Sequence, residues 1–392
     1  MLGTEIVTDF AIIMTIAALV VFVFYKLKQP LILGYLIAGI IIGPHTPPFS
    51  LISRIDYLGA AADLGVILLL FAIGLEFPLS KLKGIGFKVP LGISAIEIAV
   101  MFLISFLAGW ILKWSLMDSL FLGTALASSS TAIIAKVLSD SGKLKSTPAL
   151  VMMGVLIAED LVVALILAFI TSIGGGATTA LPGLAWTIGK ILFFIFGTLA
   201  VGSFLVPKII DKMDRSDQDE MLILISLGIC FGLSVLADLL GLPMAIGAFL
   251  AGILAANAVS APKVREMTHP LKDMFSALFF VSMGALIDIS QFRIFIVPAL
   301  IVTAMMVVGK IVGCTLGTRL LGYDLSTSLK VGLGMAQIGE FAFIVVKAGQ
   351  DLNLISPVLF PTIGVAVAIT AFLTPYLMML SYKIGPARLL KV

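Results

Sequence analysis

Glu159 and Asp160 stand side by side within residues 154–169, an apolar run with no other charge between Lys145 and Lys190. A run of that kind reads as a membrane-crossing helix, which puts both carboxylates near the middle of the bilayer. A charged side chain there costs roughly 3 kcal/mol or more. Two in succession therefore need a partner cation, a water-filled cavity or a proton. Lys310 is the third group of this kind, lying mid-run in residues 307–314, too far from either end to snorkel comfortably. A buried ammonium needs a carboxylate beside it, and Glu159 and Asp160 are the available acids. Neighbouring helix residues point about 100° apart, so one acid faces Lys310 and the other looks into a cavity. The chemistry this suits is reversible loading of a carboxylate by a small cation or a proton. The plainer alternative is a lysine–carboxylate staple between helices.

Two stretches carry the polar atoms that could complete such a site. Ser128, Ser129, Ser130 and Thr131 are four consecutive hydroxyls inside an apolar run. Their side chains compete for backbone hydrogen bonds, which marks an unwinding point, although small hydroxyls also permit close helix packing. Gly332, Gly334, Gln337, Gly339 and Glu340 interrupt a later run in the same way. Two unwound segments crossing at the midplane would bring half-helix ends face to face, with Glu340 offsetting the partial positive charge of the half-helix N-termini. Otherwise Glu340 pairs with Lys310 or a loop cation.

The elements that hold these residues follow from composition. Of 392 residues, 60% are hydrophobic and 12% charged, with mean hydropathy +1.19. A soluble domain could not hide that much apolar surface, and the continuous runs lack the alternation of barrel strands. The fold class is an all-α polytopic membrane protein. Charge, Pro and Gly divide the chain into about thirteen spans, at 7–25, 30–44, 60–76, 88–112, 118–138, 147–171, 184–209, 219–240, 242–258, 270–288, 292–319, 326–349 and 356–384. The second and ninth look short. Residues 208–220, dense in both signs, read as a polar hinge loop between two halves.

With alternate loops assigned to opposite sides, nineteen Lys and Arg fall on one side and four on the other. By the positive-inside rule this sets the C-terminus in the cytoplasm and the N-terminus outside, in a multi-pass protein of the cytoplasmic membrane. Glu5 and Asp9 precede the first run, so it reads as a retained helix rather than a signal peptide. A net charge of +3 gives no reason to expect nucleic acid as a partner. Cys230 and Cys314 sit in apolar runs and read as small buried hydrophobes.

The halves repeat. Residues 30–40 align with 243–253, 69–74 with 279–284, and 123–127 more weakly with 332–336, at offsets of 213, 210 and 209. Near-constant offsets in order predict an internal repeat, and a shift of seven spans predicts that it is inverted. Residues 1–209 would hold the first repeat and a linker helix, and 210–392 the second.

The combination of Glu159-Asp160, the hydroxyls at 128–131, residues 279–288, Lys310 and residues 339–343 resembles the monovalent cation:proton antiporter-2 family. That family contains NapA-type sodium/proton antiporters and the membrane domains of Kef-type potassium/proton systems. The resemblance covers essentially the whole chain. It implies two crossing broken helices in a six-helix core, here 88–171 and 292–384, with the remaining helices forming a panel for homodimerisation. It also implies that Asp160 binds cation (Na+) and proton in turn, and that Glu159 pairs with Lys310. The NapA-type pattern has two aspartates and the Kef-type pattern Gln-Asp; Glu-Asp with Lys310 retained leans to the sodium branch.

Cation and proton would then compete for Asp160, with oxygens near Ser129, Ser130 and Thr131 completing the shell. Exchange would be electrogenic if Lys310 releases a proton on cation entry, and one for one if its pair stays intact. No cofactor is implied, only transported Na+ (or Li+, K+) and H+. A sodium-coupled organic solute symporter is the alternative carrier, and a channel lacks a filter-like loop. An enzyme has no support, because His45 and His269 stand at span ends away from any nucleophile or metal-ligand cluster.

Overall fold

The computed structural model describes residues 2–27, 29, 31–46, 51, 55–75, 88–143, 146–174, 181–215, 218–240, 242, 244–285, 287–339 and 341–383. The regular elements are helices, and no strand occurs among the described residues. In chain order they are α1 (Leu2–Lys26), α2 (Leu31–Ile42), α3 (Ile55–Leu75), α4 (Lys88–Leu112), α5 (Leu116–Leu126), α6 (Thr131–Asp140), α7 (Thr147–Gly174) and α8 (Leu181–Asp214). They continue with α9 (Asp219–Leu239), α10 (Met244–Ala255), α11 (Ala261–Ala285), a 3-10 turn (Ile289–Gln291), α12 (Phe292–Leu320), α13 (Leu325–Gly334), α14 (Phe341–Asp351) and α15 (Leu359–Lys383). Among the described residues, seven helices are long and apolar enough to cross a membrane. The second and ninth spans are short as expected: α2 and α10 each have 12 residues, about 18 Å of helix.

The chain divides into two compact units, 1–84 with 171–290, and 85–170 with 291–392. In the first, α11 lies against α2 and α3, and α10 packs on α3 and α9. Glycine makes these contacts close. A Cβ on Gly39 would run into the Val281 carbonyl, and one on Gly284 into that of Leu36. A Cβ on Gly74 would strike the Phe249 carbonyl, and one on Gly252 that of Phe71. Gly39 and Gly252 hold the same place in the similar segments 30–40 and 243–253, as do Gly74 and Gly284 in 69–74 and 279–284. Each therefore packs against a member of the opposite pair, in two matching crossings. Ile13, Ala17, Ala38, Ile42, Leu278, Val281 and Ala285 fill the space where α1, α2 and α11 meet.

One expectation is corrected here. Residues 208–214 are the last turns of α8 and 219–220 begin α9, so the polar stretch is mostly helix. Its charges are spent on helix ends. Lys263 Nζ lies 2.9 Å from Asp214 and 2.8 Å from Asp219. Asp211 accepts from the Ser260 N–H at 2.9 Å, just before α11. These contacts tie the end of α8 to the starts of α9 and α11.

In the second unit, α12 packs along α4, α13 and α15. Apolar side chains of α4, α6, α7, α12, α13 and α15 close one core around Met152, Val155, Leu156, Cys314 and Met335. Ser115 caps α5 in a reciprocal box with Asp118: its hydroxyl accepts from the Asp118 N–H at 2.9 Å, and Asp118 accepts from the Ser115 N–H at 3.1 Å. The same carboxylate accepts from Ser356 N–H and Oγ at 2.6 and 2.7 Å, which ties the start of α5 to the turn before α15.

Candidate functional site

The fifth and twelfth spans are each broken where their polar residues fall. Helix α5 stops at Leu126 and α6 starts at Thr131; α13 stops at Gly334 and α14 starts at Phe341. The breaks touch within the second unit. The Gly339 N–H donates to the Ser128 carbonyl at 3.0 Å, and Gln337 Nε2 donates to the Ser130 carbonyl at 3.2 Å. A Cβ on Gly339 would lie 2.6 Å from Ser129 C, so only glycine lets the two backbones approach this closely. Thr370 on α15 supports the second break, its hydroxyl accepting from the Ile338 N–H at 3.3 Å. Ser130 starts α6 by accepting from the Ile133 N–H at 3.3 Å.

Lys310 reaches this crossing from α12. Its ammonium donates to Ser129 Oγ at 2.6 Å and to the Ala127 carbonyl at 3.4 Å. A cation at the C-terminal end of half-helix α5 is favourably placed against the helix dipole. The same ammonium lies 3.8 Å from Glu159 Oε2 and 3.2 Å from Glu97 Oε1, with all three side chains sealed from solvent. Asp160, one residue further round α7, is 4% exposed and so is turned into the protein rather than outward. Ser128 Oγ, Thr131 Oγ1 and Gln337 Oε1 are buried without a hydrogen-bond partner. Such oxygens are hard ligands of the kind a partly dehydrated monovalent cation or a water takes. Glu340 lies outside the described residues.

Lys310, Glu159, Ser129, Ser130, Thr131 and Gln337, all singled out by their types, thus gather in one unit with Asp160 beside them. Sequence reasoning missed Glu97. It sits mid-span in α4 between Lys88 and Lys113, the same signal that marked Lys310. The expected contact between Glu159 and Lys310 is present, and a second, shorter contact from Glu97 stands beside it. The reason lies in helix packing. Gly309, Gly313 and Gly317 line one face of α12, and a Cβ on Gly313 would sit 3.2 Å from the Glu97 Cα.

Comparison with known proteins agrees with this architecture. The family described as "Sodium/hydrogen exchanger, transmembrane" matches residues 11–379. YbaL of Escherichia coli K12 is 34% identical over 342 residues, which is 84% of this chain and 60% of that protein. K(+) efflux antiporter 5 of Arabidopsis thaliana is 31% identical, covering 95% of this chain and 66% of the relative. The chain thus spans less than two thirds of the length of these two. Against the Na(+)/H(+)-K(+) antiporter GerN of Bacillus cereus the identity is 32%, over 92% of this chain and 91% of that one. The solved sodium proton antiporter MjNhaP1 of Methanocaldococcus jannaschii shares the fold, with a TM-score of 0.76 at 20% identity over 98% of this chain and 99% of that one. With nearly its whole length matched, the chain belongs to the transmembrane sodium/hydrogen exchanger family.

Proposed function

We propose that the protein is a secondary active antiporter that exchanges Na+, and also Li+, for H+ across the cytoplasmic membrane by alternating access. The observation that carries this reading is Glu159, Asp160 and Lys310 buried in one unit beside two touching helix breaks. Asp160 is loaded in turn by cation and proton, which compete for one carboxylate and so are exchanged rather than conducted together. Glu159 and Lys310 hold the surrounding charge. Oxygens of Ser128, Ser130, Thr131 and Gln337 complete the cation shell. Helices within 88–171 and 292–384 form the ion-transporting core, as the two halves of an inverted repeat; the remaining helices form a homodimer panel. The N-terminus lies outside and the C-terminus in the cytoplasm. The matching glycine crossings support the repeat.

A second reading, K+/H+ exchange, is favoured by the Arabidopsis and Bacillus relatives, both of which are named for potassium transport. One experiment tests both. In proteoliposomes, dissipation of a pH gradient is followed on addition of Na+, Li+ or K+, with and without a clamped membrane potential. Na+ and Li+ are expected to collapse the gradient, and Asp160→Asn to abolish the response while the protein still folds. Full activity in that variant discards the site; a response to K+ alone selects the second reading.

A further inference from the structure

We infer that Glu97 is the principal positioning residue for the Lys310 ammonium, and that the glycine face of α12 serves to bring it there. The inference deepens the proposed exchange and rests on it for its transport consequence alone.

Three observations converge. The Glu97 carboxylate is the nearer of two, at 3.2 Å against 3.8 Å for Glu159, and both acids are fully enclosed. Next, α4 is held against α12 along a continuous seam. A Cβ on Gly309 would meet Met101 Cε at 2.7 Å, one on Gly313 the Glu97 Cα at 3.2 Å, and one on Gly317 the Ile93 Cα at 3.2 Å. Spaced four residues apart, these glycines share one face, and a Cβ at Gly313 or Gly317 would press on the backbone of the helix that carries Glu97, whereas at Gly309 it would meet side chains of that helix. Lastly, the Ser94 hydroxyl donates to the Val155 carbonyl at 3.2 Å. That bond sets α4 against α7 one turn below Glu97 and Glu159 and keeps both acids turned toward the same lysine.

The charges explain why a second acid is useful. Lys310 faces Glu97 from α4, Glu159 from α7, Ser129 from the first break and, on its own helix, the Cys314 thiol. With Glu159 as its sole counter-ion, the lysine would cancel the negative charge next to Asp160. With Glu97 opposing the lysine, Glu159 and Asp160 keep their negative field for the cation. Glu97 therefore acts on cation affinity through Lys310, without touching the cargo.

The test is a set of full-length variants with two readouts. Lys310→Gln strands two buried carboxylates and is expected to lower the melting temperature of the purified protein by on the order of 10 °C. Adding Glu97→Gln to it should restore more than half of that loss, and adding Glu159→Gln should restore less. In proteoliposomes, Glu97→Gln alone removes one negative charge and should raise the KM for Na+ on the order of tenfold, with maximal rate changed less than about threefold. Glu97→Gln combined with Lys310→Gln returns the net charge and should bring KM back toward the parent value. Equal or greater restoration by Glu159→Gln, no restoration by Glu97→Gln, or a KM that the second substitution leaves raised overturns the inference. The melting arm needs no transport, so a fully active Asp160→Asn protein would discard the Asp160 site and leave the Glu97 result to be judged on melting alone.

Discussion

Replacing Gly339 with alanine probes the contact on which the site is assembled. The added methyl would lie 2.6 Å from Ser129 C, 2.7 Å from its carbonyl oxygen and 2.9 Å from Ser130 N. Ordinary carbon contacts begin near 3.5 Å, so the overlap with Ser129 C is about 0.9 Å, against backbone atoms that cannot swing aside. Relief requires the breaks to separate. Separation lengthens the Gly339–Ser128 hydrogen bond of 3.0 Å and the Gln337–Ser130 bond of 3.2 Å. Overpacking costs about 1–3 kcal/mol and each weakened hydrogen bond about 1 kcal/mol, so the sum is roughly 3–5 kcal/mol. Set against a total stability of about 5–15 kcal/mol, this predicts a melting temperature lower by on the order of 10 °C. Exchange should fall further than folding does, because Ser129 also receives the Lys310 ammonium at 2.6 Å. Differential scanning fluorimetry in detergent and the proteoliposome assay, run side by side, measure the two effects. Gly228→Ala is the control: this α9 glycine has nothing within 4 Å of its Cβ position, and alanine there should be neutral or stabilising. A Gly339→Ala protein as stable and as active as the parent would refute the claim that close backbone approach builds this site.

Other outcomes follow from residues outside the crossing. Asp118→Ala strands the Ser115 and Ser356 donors that now surround a 1%-exposed carboxylate, and should cost about 3 kcal/mol or more, seen as a lower melting temperature; Asp118→Asn should cost less, since one acceptor oxygen remains. Asp324 caps α13, and the Thr327 hydroxyl and N–H hold its carboxyl below the usual aspartate range. Its contribution is therefore present above the unfolded aspartate value and lost as pH falls through the lower folded one. The melting-temperature gap between the parent and Asp324→Ala should accordingly be widest near neutrality and close in strong acid; a gap that does not change with pH contradicts the assignment.

The helical character, the approximate place of most spans and both helix breaks were legible before any coordinates, because each depends on local properties of the chain; exact limits were not, since α8 runs on to Asp214 and α11 begins at Ala261 rather than at 270. An apolar run of twenty residues belongs in lipid whatever its neighbours are. Four hydroxyls or three glycines weaken a helix wherever it packs, and α5 and α13 do end within a few residues of them. Residues 208–220 misled for the opposite reason: their charges suggested a loop, but partners such as Lys263, far along the chain, let most of them remain helical.

Sequence alone determined that Glu159, Asp160 and Lys310 are charges in an apolar setting that must find partners. It could not determine which partners. Glu97 carries the same local signal, yet its place against Lys310 follows from α4 lying on the glycine face of α12, a contact between segments some 200 residues apart. Composition decides how each residue partitions between water and lipid, since that energy is nearly additive along the chain. Which two buried charges meet is decided by helix packing, where close contact rather than polarity sets the geometry.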